Sequence, residues 1–310
     1  KNYSYKIIKM SKYRKIFTTP NVRKFARELG ADINEVKGTE RKGRITNEDV
    51  KNFVNNQLNQ NNQIKNLKNE FNHSDFGEIE IKEIPRVKKL AAPHLVNSWQ
   101  TIPHVTHHDE ADVTELEDFR LSLTDINTGE KKKLSPLVFI IKSLVAALKK
   151  YPNFNSSIDQ INEGKISLKK YFHIGIAVDT EHGLMVPKIR NVNEKNLNHI
   201  SLELKDISDK CRKLKIDKKE FFGGSMTITS LGGIGGSFFT PIINYPEVAI
   251  LGVGRSYYKQ VLIDNQFQKR IMLPLSLSYD HRIIDGAEAA RFSNELKENL
   301  GKNFAYKLAI

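Results

Sequence analysis

Residues 55–72 read NNQLNQNNQIKNLKNEFN, a run of asparagine, glutamine and lysine with little to bury. Such a stretch cannot offset the entropy of ordering itself, so its composition predicts a flexible linker over 55–75. A linker there divides the 310 residues into two unequal parts. The first has too few apolar residues for more than a marginal core. The second, 76–310, is long enough for one large domain.

Within the first part, residues 1–17 are rich in lysine and tyrosine without periodicity and read as linker. A compact unit is expected at 18–54. Thr19-Pro20 is a helix start, with a capping hydroxyl and proline at the first helical position. Val22, Phe25, Ala26 and Leu29 then recur at helical spacing, and Gly30 ends the helix. Thr46 with Asp49 reads as a second capping box ahead of Val50 and Phe53. Between them lies a polar loop, Lys37 to Gly43. Residues 1–54 hold 14 Lys/Arg against 6 Asp/Glu, so most of the chain's net charge of +13 sits there. A basic module calls for an acidic partner. Arg23, Lys24, Arg27, Arg41 and Arg44 are its candidate contacts. Nucleic acid is not expected, because no interleaved aromatics or recognised nucleic-acid motif accompany the basic loop Arg41 to Arg44 and its neighbouring helix.

The second part alternates strand and helix patterns. Ser135-Pro136 caps a helix to about Lys150. Phe172 to Val178 reads as a strand, and Leu184 to Ile189 pairs with it after the Glu181-His182-Gly183 turn. Leu197 to Leu214 is an amphipathic helix. Ser225 to Ser230, Val248 to Val253 and Arg270 to Ser278 are further strands, and Gly286 to Leu300 is a closing helix. The pattern predicts one α/β domain with a mixed sheet. No 18-residue apolar run occurs, and Lys142 interrupts the longest apolar stretch, Leu134 to Leu148. No membrane contact and a cytoplasmic location are therefore expected. The single cysteine, Cys211, excludes a disulfide framework and reads as a half-buried filler.

Ser278-Tyr279-Asp280-His281-Arg282-Ile283-Ile284-Asp285-Gly286 places His281, Asp285 and Gly286 in an H-x-x-x-D-G arrangement at a strand end. A strand end fixes an imidazole, and a tight turn can fold a carboxylate back beneath it, as a general base requires. Spacing alone favours a loop histidine held for structural reasons. Thr229 and Ser230, at the end of another strand, read as capping or surface hydroxyls by spacing alone. The glycines at 232–236 match no phosphate cradle and suit close backbone packing instead. His104 and His108 would share a strand face too far apart for a compact metal pair, so no metal site is expected.

Several stretches taken together carry a resemblance. TTPNVRKFARELGADINEVKGTERKGRITNEDVKNFV, at 18–54, resembles a peripheral subunit-binding domain. IPHVTHHDEADVTELEDFR, YFHIGIAVDTEHGLMVP, SMTITSLGGIGGSFFTPIINYPEVAILGVG and LPLSLSYDHRIIDGAEAARF, within 76–310, resemble a catalytic domain. Both belong to the dihydrolipoyl acyltransferase (E2) family of 2-oxo acid dehydrogenase complexes. TSLGGIGG followed by PEVAILGV is similar to the acetyl-transferring, pyruvate type. Branched-chain and succinyl acyltransferases, and a noncatalytic core subunit, are the alternatives.

The resemblance implies a CoA-dependent acyltransferase fold, chloramphenicol acetyltransferase-like, with two layers and a mixed sheet, after a small all-α domain. It implies transfer of an acetyl group from S8-acetyldihydrolipoamide to coenzyme A. His281 would be the base, Thr229 the oxyanion donor and Asp285 an orienting residue. Phe239, Ser230 and Gly286 are the expected coenzyme A contacts, with Gly286 permitting the bend. It also implies homotrimers with the site between subunits, assembling into a core of 24 chains. The dehydrogenase (E1), lipoamide dehydrogenase (E3) or both would bind 18–54. Lipoate is expected on a lipoyl domain, because the Asp-Lys-Ala turn that carries it is not found in the sequence. One departure concerns Glu40, which stands where the subunit-binding loop has a glycine. A positive φ there would strain the loop and weaken binding.

Overall fold

Thr19 starts the first helix as its chemistry dictates. Its hydroxyl accepts the Val22 N–H at 3.4 Å, and Pro20 opens α1 (Pro20–Glu28). The computed structural model describes residues 17–62, 72–124, 129–302 and 304, and the chain divides between Ile81 and Lys82 into two compact units. The linker expected at 1–17 lies outside the described residues except for Phe17.

In the smaller unit, α1 and α2 (Asn47–Asn62) enclose Val22, Ala26, Ala31, Val36, Ile45 and Val50. So small a core depends on its loop, and Asp49 organises that loop. Its carboxylate accepts from Thr46 N–H at 2.9 Å, Thr46 Oγ1 at 3.0 Å, Thr39 N–H at 3.2 Å and Thr39 Oγ1 at 2.7 Å. Burial raises the carboxyl's pKa, but the Thr46 and Thr39 hydrogen bonds outweigh it and hold the value below the ordinary one. The return bond from Asp49 N–H to Thr46 Oγ1, at 3.2 Å, completes the capping box.

Two expectations are corrected here. Residues 55–62 are not linker, because α2 continues to Asn62; residues 63–71 lie outside the described residues, and His73–Asp75 form a 3₁₀ turn. Glu40 does not occupy a glycine conformation. Its φ of −76° is ordinary extended backbone, and Lys42 and Gly43 take the positive φ, 62° and 74°. The loop's demand for a missing side chain falls on Gly38, where a Cβ would stand 2.4 Å from the Gly43 carbonyl oxygen.

The larger unit contains helices α3 (Arg86–Thr101), α4 (Thr114–Ser122), α5 (Pro136–Lys150), α6 (Leu197–Arg212) and α7 (Gly286–Leu300). Its strands are β1 (His104–Asp112), β2 (Ser156–Ser157), β3 (Ser167–Leu168), β4 (Ile174–Ile176), β5 (Lys188–Ile189), β6 (Met226–Ser230), β7 (Ala249–Val253), β8 (Tyr257–Ile263) and β9 (Gln266–Asp280). Seven of them form one mixed sheet in the order β1-β9-β7-β6-β4-β5, with β8 paired to β9; β2 and β3 form a separate pair. Pairing of β4 with β6 and of β6 with β7 is parallel; the rest is antiparallel.

Alternation along the strands sorts the side chains. Ile174, Ile176, Met226, Ile228, Ala249, Leu251, Val253, Leu275, Leu277 and Tyr279 are buried in the core with α5, α6 and α7 residues such as Phe139, Leu144, Ile200, Phe292 and Leu296. Phe154 stacks on Phe292 with ring centroids 3.9 Å apart. The opposite face carries His104, Thr106, His108, Thr227, Thr229, Ser276, Ser278 and Asp280. The predicted strand at 172–178 is shorter than expected, and the one at 270–278 extends to Asp280. The sequence reading missed α3, α4 and the β8–β9 hairpin, whose turn residues Asp264 and Asn265 have φ of 49° and 61°. Among the described residues no helix is long and apolar enough to cross a membrane, and no group of three His, Cys, Asp or Glu could hold a metal ion. Cys211 is buried, and burial pushes its thiol up to about 11, which suits a filler.

Candidate active site

β9 delivers His281 to the first position beyond its end. The turn there is locked by the residues on either side. Asp280, fully buried, accepts the Arg282 backbone N–H at 3.0 Å and takes the Arg282 guanidinium on both oxygens, through Nε at 2.9 Å and Nη2 at 2.6 Å. A bidentate pair of this kind fixes orientation as well as charge. His281 itself is exposed. Its N–H donates to the Pro103 carbonyl at 3.1 Å, and among the described residues nothing hydrogen-bonds its imidazole.

Asp285 is four residues on but does not fold beneath that ring. It is the N-cap of α7, accepting the Glu288 N–H at 2.7 Å, so the expected carboxylate partner is a helix cap. The carboxylate that holds the turn is Asp280, which the H-x-x-x-D-G reading passed over. Gly286 has no positive φ, and a Cβ there would meet only Tyr279 Oη at 4.0 Å, so the bend does not require glycine.

The hydroxyls on the polar face divide clearly. Thr227 donates to Glu247 at 2.6 Å, Thr106 and Ser278 bond each other at 2.7 Å, and Ser276 lies 2.9 Å from His108 Nδ1. Ser230 Oγ accepts from Gly232 N–H at 3.4 Å, the capping use expected of it. Thr229, half-buried, has no such partner among the described residues. The strand register sets Thr229 against Gly252 and Gly252 against Ser276. His281 lies five residues beyond Ser276, just past the end of β9. Thr229 and His281 thus lie roughly 17 Å apart along the strands and about 10 Å across them. One chain does not bring them together.

Phe239 is half-buried, with its ring against Gly252, where a Cβ would come 2.8 Å from Phe239 Cζ. His104 is structural: its Nδ1–H donates to the Ile102 carbonyl at 2.7 Å and its Nε2 accepts the Ile243 N–H at 2.9 Å. Beyond Thr227, Lys188 and Glu247 form a fully buried ion pair at 2.7 Å that the sequence reading also missed. Gly175 and Gly224 make room for it, since a Cβ at either would stand within 2.7 Å of Lys188 Nζ. Nearby, burial pushes the Lys169 ammonium down to about 8; its Nζ donates to Gly224 O at 2.7 Å and Ser156 O at 2.9 Å.

In the smaller unit, Arg23 and Arg27 line a groove of about 510 Å³ with Ala26, Ala31, Asp32 and Ile33. Lys24 lies 3.9 Å from Glu28, and Arg41 and Arg44 are exposed on the loop after Gly38, outside that groove.

The family model for 2-oxoacid dehydrogenases acyltransferase (catalytic domain) matches residues 76–306, and that for the e3 binding domain matches 16–51. The chain is 48% identical over 290 residues to the dihydrolipoyllysine-residue acetyltransferase component of the pyruvate dehydrogenase complex of Cupriavidus necator, covering 89% of this chain and 52% of that protein. It is 43% identical over 297 residues to the corresponding component of Haemophilus influenzae, covering 90% and 52%. The chain therefore spans about half the length of the curated relatives it matches. The larger unit is similar to a solved dihydrolipoamide acetyltransferase of Azotobacter vinelandii, whose catalytic mechanism was investigated through a serine, a histidine and an asparagine. That match has 43% identity and a TM-score of 0.73, covering 77% of this chain and 98% of that one. The cubic core of a pyruvate dehydrogenase multienzyme complex matches with the same identity, TM-score and coverage.

Proposed function

This chain belongs to the 2-oxoacid dehydrogenase acyltransferase family, and from that premise we propose that it transfers an acetyl group from S8-acetyldihydrolipoamide to coenzyme A. One observation carries the assignment of residues: among the described residues, neither the His281 imidazole nor the Thr229 hydroxyl has a hydrogen-bond partner. The serine, histidine and asparagine of the Azotobacter vinelandii protein are spaced along its chain as Thr229, His281 and Asp285 are here. Two residues so far apart on one sheet meet only if a second copy faces the first, as a closed ring of subunits allows. Homotrimers, built into a larger core like the cubic one, supply that arrangement.

In the reaction His281 takes the proton of the coenzyme A thiol. The thiol needs this help, because its unperturbed pKa is about 8.5. The thiolate attacks the thioester carbonyl, and Thr229 of the facing chain donates a hydrogen bond to the oxyanion that forms. Collapse breaks the bond to the dihydrolipoyl sulfur, which takes the proton back from His281. The products are acetyl-coenzyme A and dihydrolipoamide. Asp280 and Arg282 keep the base in place, and Asp285 anchors α7 behind it. Phe239 lies one strand over from Thr229 and walls the proposed site, whereas the Ser230 side chain alternates to the other face of the sheet and caps Gly232. The lipoyl group is substrate here, carried by a lipoyl domain. Formation of acetyl-coenzyme A from free S8-acetyldihydrolipoamide tests the reading; preferential transfer of a succinyl or isobutyryl group would replace it with a sister activity.

The smaller unit would bind an acidic face of lipoamide dehydrogenase, with the decarboxylating dehydrogenase as second candidate. Exposed Arg27, Arg41 and Arg44 support this reading. Exposed charge pairs are screened within roughly 10 Å at 0.1 M salt, so affinity should fall on the order of tenfold between low and high salt. Calorimetry that finds salt-insensitive binding would point to an apolar interface. Glu40→Gly should not tighten it, because Glu40 has no backbone strain to release.

A further inference from the structure

His108 stands in register with Ser276, Ser276 with Gly252 and Gly252 with Thr229, so the four share one row across the polar face. The Phe239 ring occupies the space that a side chain at Gly252 would need. It therefore sits one strand spacing, about 4.8 Å, from the Thr229 position. Two contacts hold the segment that carries it. The Phe239 N–H donates to Ser276 Oγ at 3.3 Å, and the Phe238 ring packs on the His108 ring with centroids 5.3 Å apart. Ser276 is only 1% exposed, so its hydroxyl has to be satisfied within the chain. Accepting from Phe239 N–H and donating to His108 Nδ1, 2.9 Å away, does this and leaves the imidazole proton on Nε2.

We infer that His108 and Ser276 are positioning residues that, through Phe238 and the Phe239 N–H, hold the Phe239 ring over Gly252 and so limit the size of the acyl group that fits beside Thr229. The inference rests on the acetyl-transfer reading. An acyl carbonyl oxygen bonded to the Thr229 hydroxyl has its carbon chain in the adjoining space, and the Phe239 ring closes that space on the Gly252 side. Neither His108 nor Ser276 touches substrate in this account. A loosened ring would admit longer acyl groups while leaving His281 and Thr229 in place. A pair that served only packing would lower transfer of every acyl group alike.

The test compares kcat/KM for acetyl- and isobutyryl-dihydrolipoamide, with coenzyme A, in the assembled full chain. His108→Ala and Ser276→Ala should lower the preference for acetyl on the order of tenfold, the size of effect a few carbons have in an apolar pocket. His108→Asn, whose side-chain amide reaches the Nδ1 position, should retain the preference. His108 is exposed, so its variants keep the test independent of whether Ser276→Ala folds. An unchanged preference in an active, assembled His108→Ala overturns the inference and leaves the acetyl-transfer reading standing. A parent chain that transfers no acetyl group overturns both.

Discussion

Replacing His281 with alanine should lower acetyl transfer to coenzyme A by about 10²- to 10⁴-fold, the range of general-base effects. The coenzyme A thiol is mostly protonated at neutral pH, and its thiolate is the nucleophile. Among the described residues nothing hydrogen-bonds the imidazole, so alanine removes no hydrogen bond, only the ring's packing near Tyr279, with centroids 6.0 Å apart. The turn that presents it is held by the Asp280–Arg282 pair, at 2.6 Å, and by the backbone bond to Pro103. Both survive the substitution. His281→Ala should therefore assemble like the parent, which sedimentation checks. Turnover within threefold of the parent in an assembled variant would remove His281 from the mechanism.

Thr229→Ala should cost about 10²- to 10³-fold in kcat, the usual effect of losing one oxyanion donor. Every neighbouring hydroxyl on this face is already engaged: Thr227 by Glu247, Ser278 by Thr106 and Ser276 by His108. None is free to replace the lost donor. Thr229→Ser keeps the hydroxyl and should be mild. The loss should fall on kcat with the Michaelis constant for coenzyme A little changed, because the oxyanion exists only after attack. A raised Michaelis constant with unaltered kcat would assign Thr229 to binding the ground state.

Local chemistry made much of the fold legible. Thr19-Pro20, Thr46 with Asp49, and Ser135-Pro136 each mark a helix start by satisfying the free N–H groups of its first turn, and all three do so in the structure. Composition misled at 55–62, because an Asn/Gln tract continuing a capped helix looks like one that is coil. Helix α3 went unseen because it lacks a buried stripe: Leu90 is 70% and Trp99 59% exposed, and Pro93 interrupts it. The site was legible as residues and not as a place. Motifs marked His281 and Thr229, but strand order and register are set by pairing between segments far apart in sequence. The Thr229–Gly252–Ser276–His108 row, the Asp280–Arg282 pair beside the motif and the buried Lys188–Glu247 pair follow only from that pairing.

Sharing of one site between two copies is the claim on which the account turns. Assembling His281→Ala and Thr229→Ala chains together measures it most directly. Each variant alone should be nearly inactive. In mixed rings, a Thr229→Ala chain supplies the imidazole and a facing His281→Ala chain supplies the hydroxyl. An equal mixture, co-expressed so that chains exchange during assembly, should recover about a quarter of the parent activity by random pairing of neighbours. Mixed rings, confirmed by mass, that show no more activity than either variant alone would contradict the account and place both groups in the service of a site within one chain.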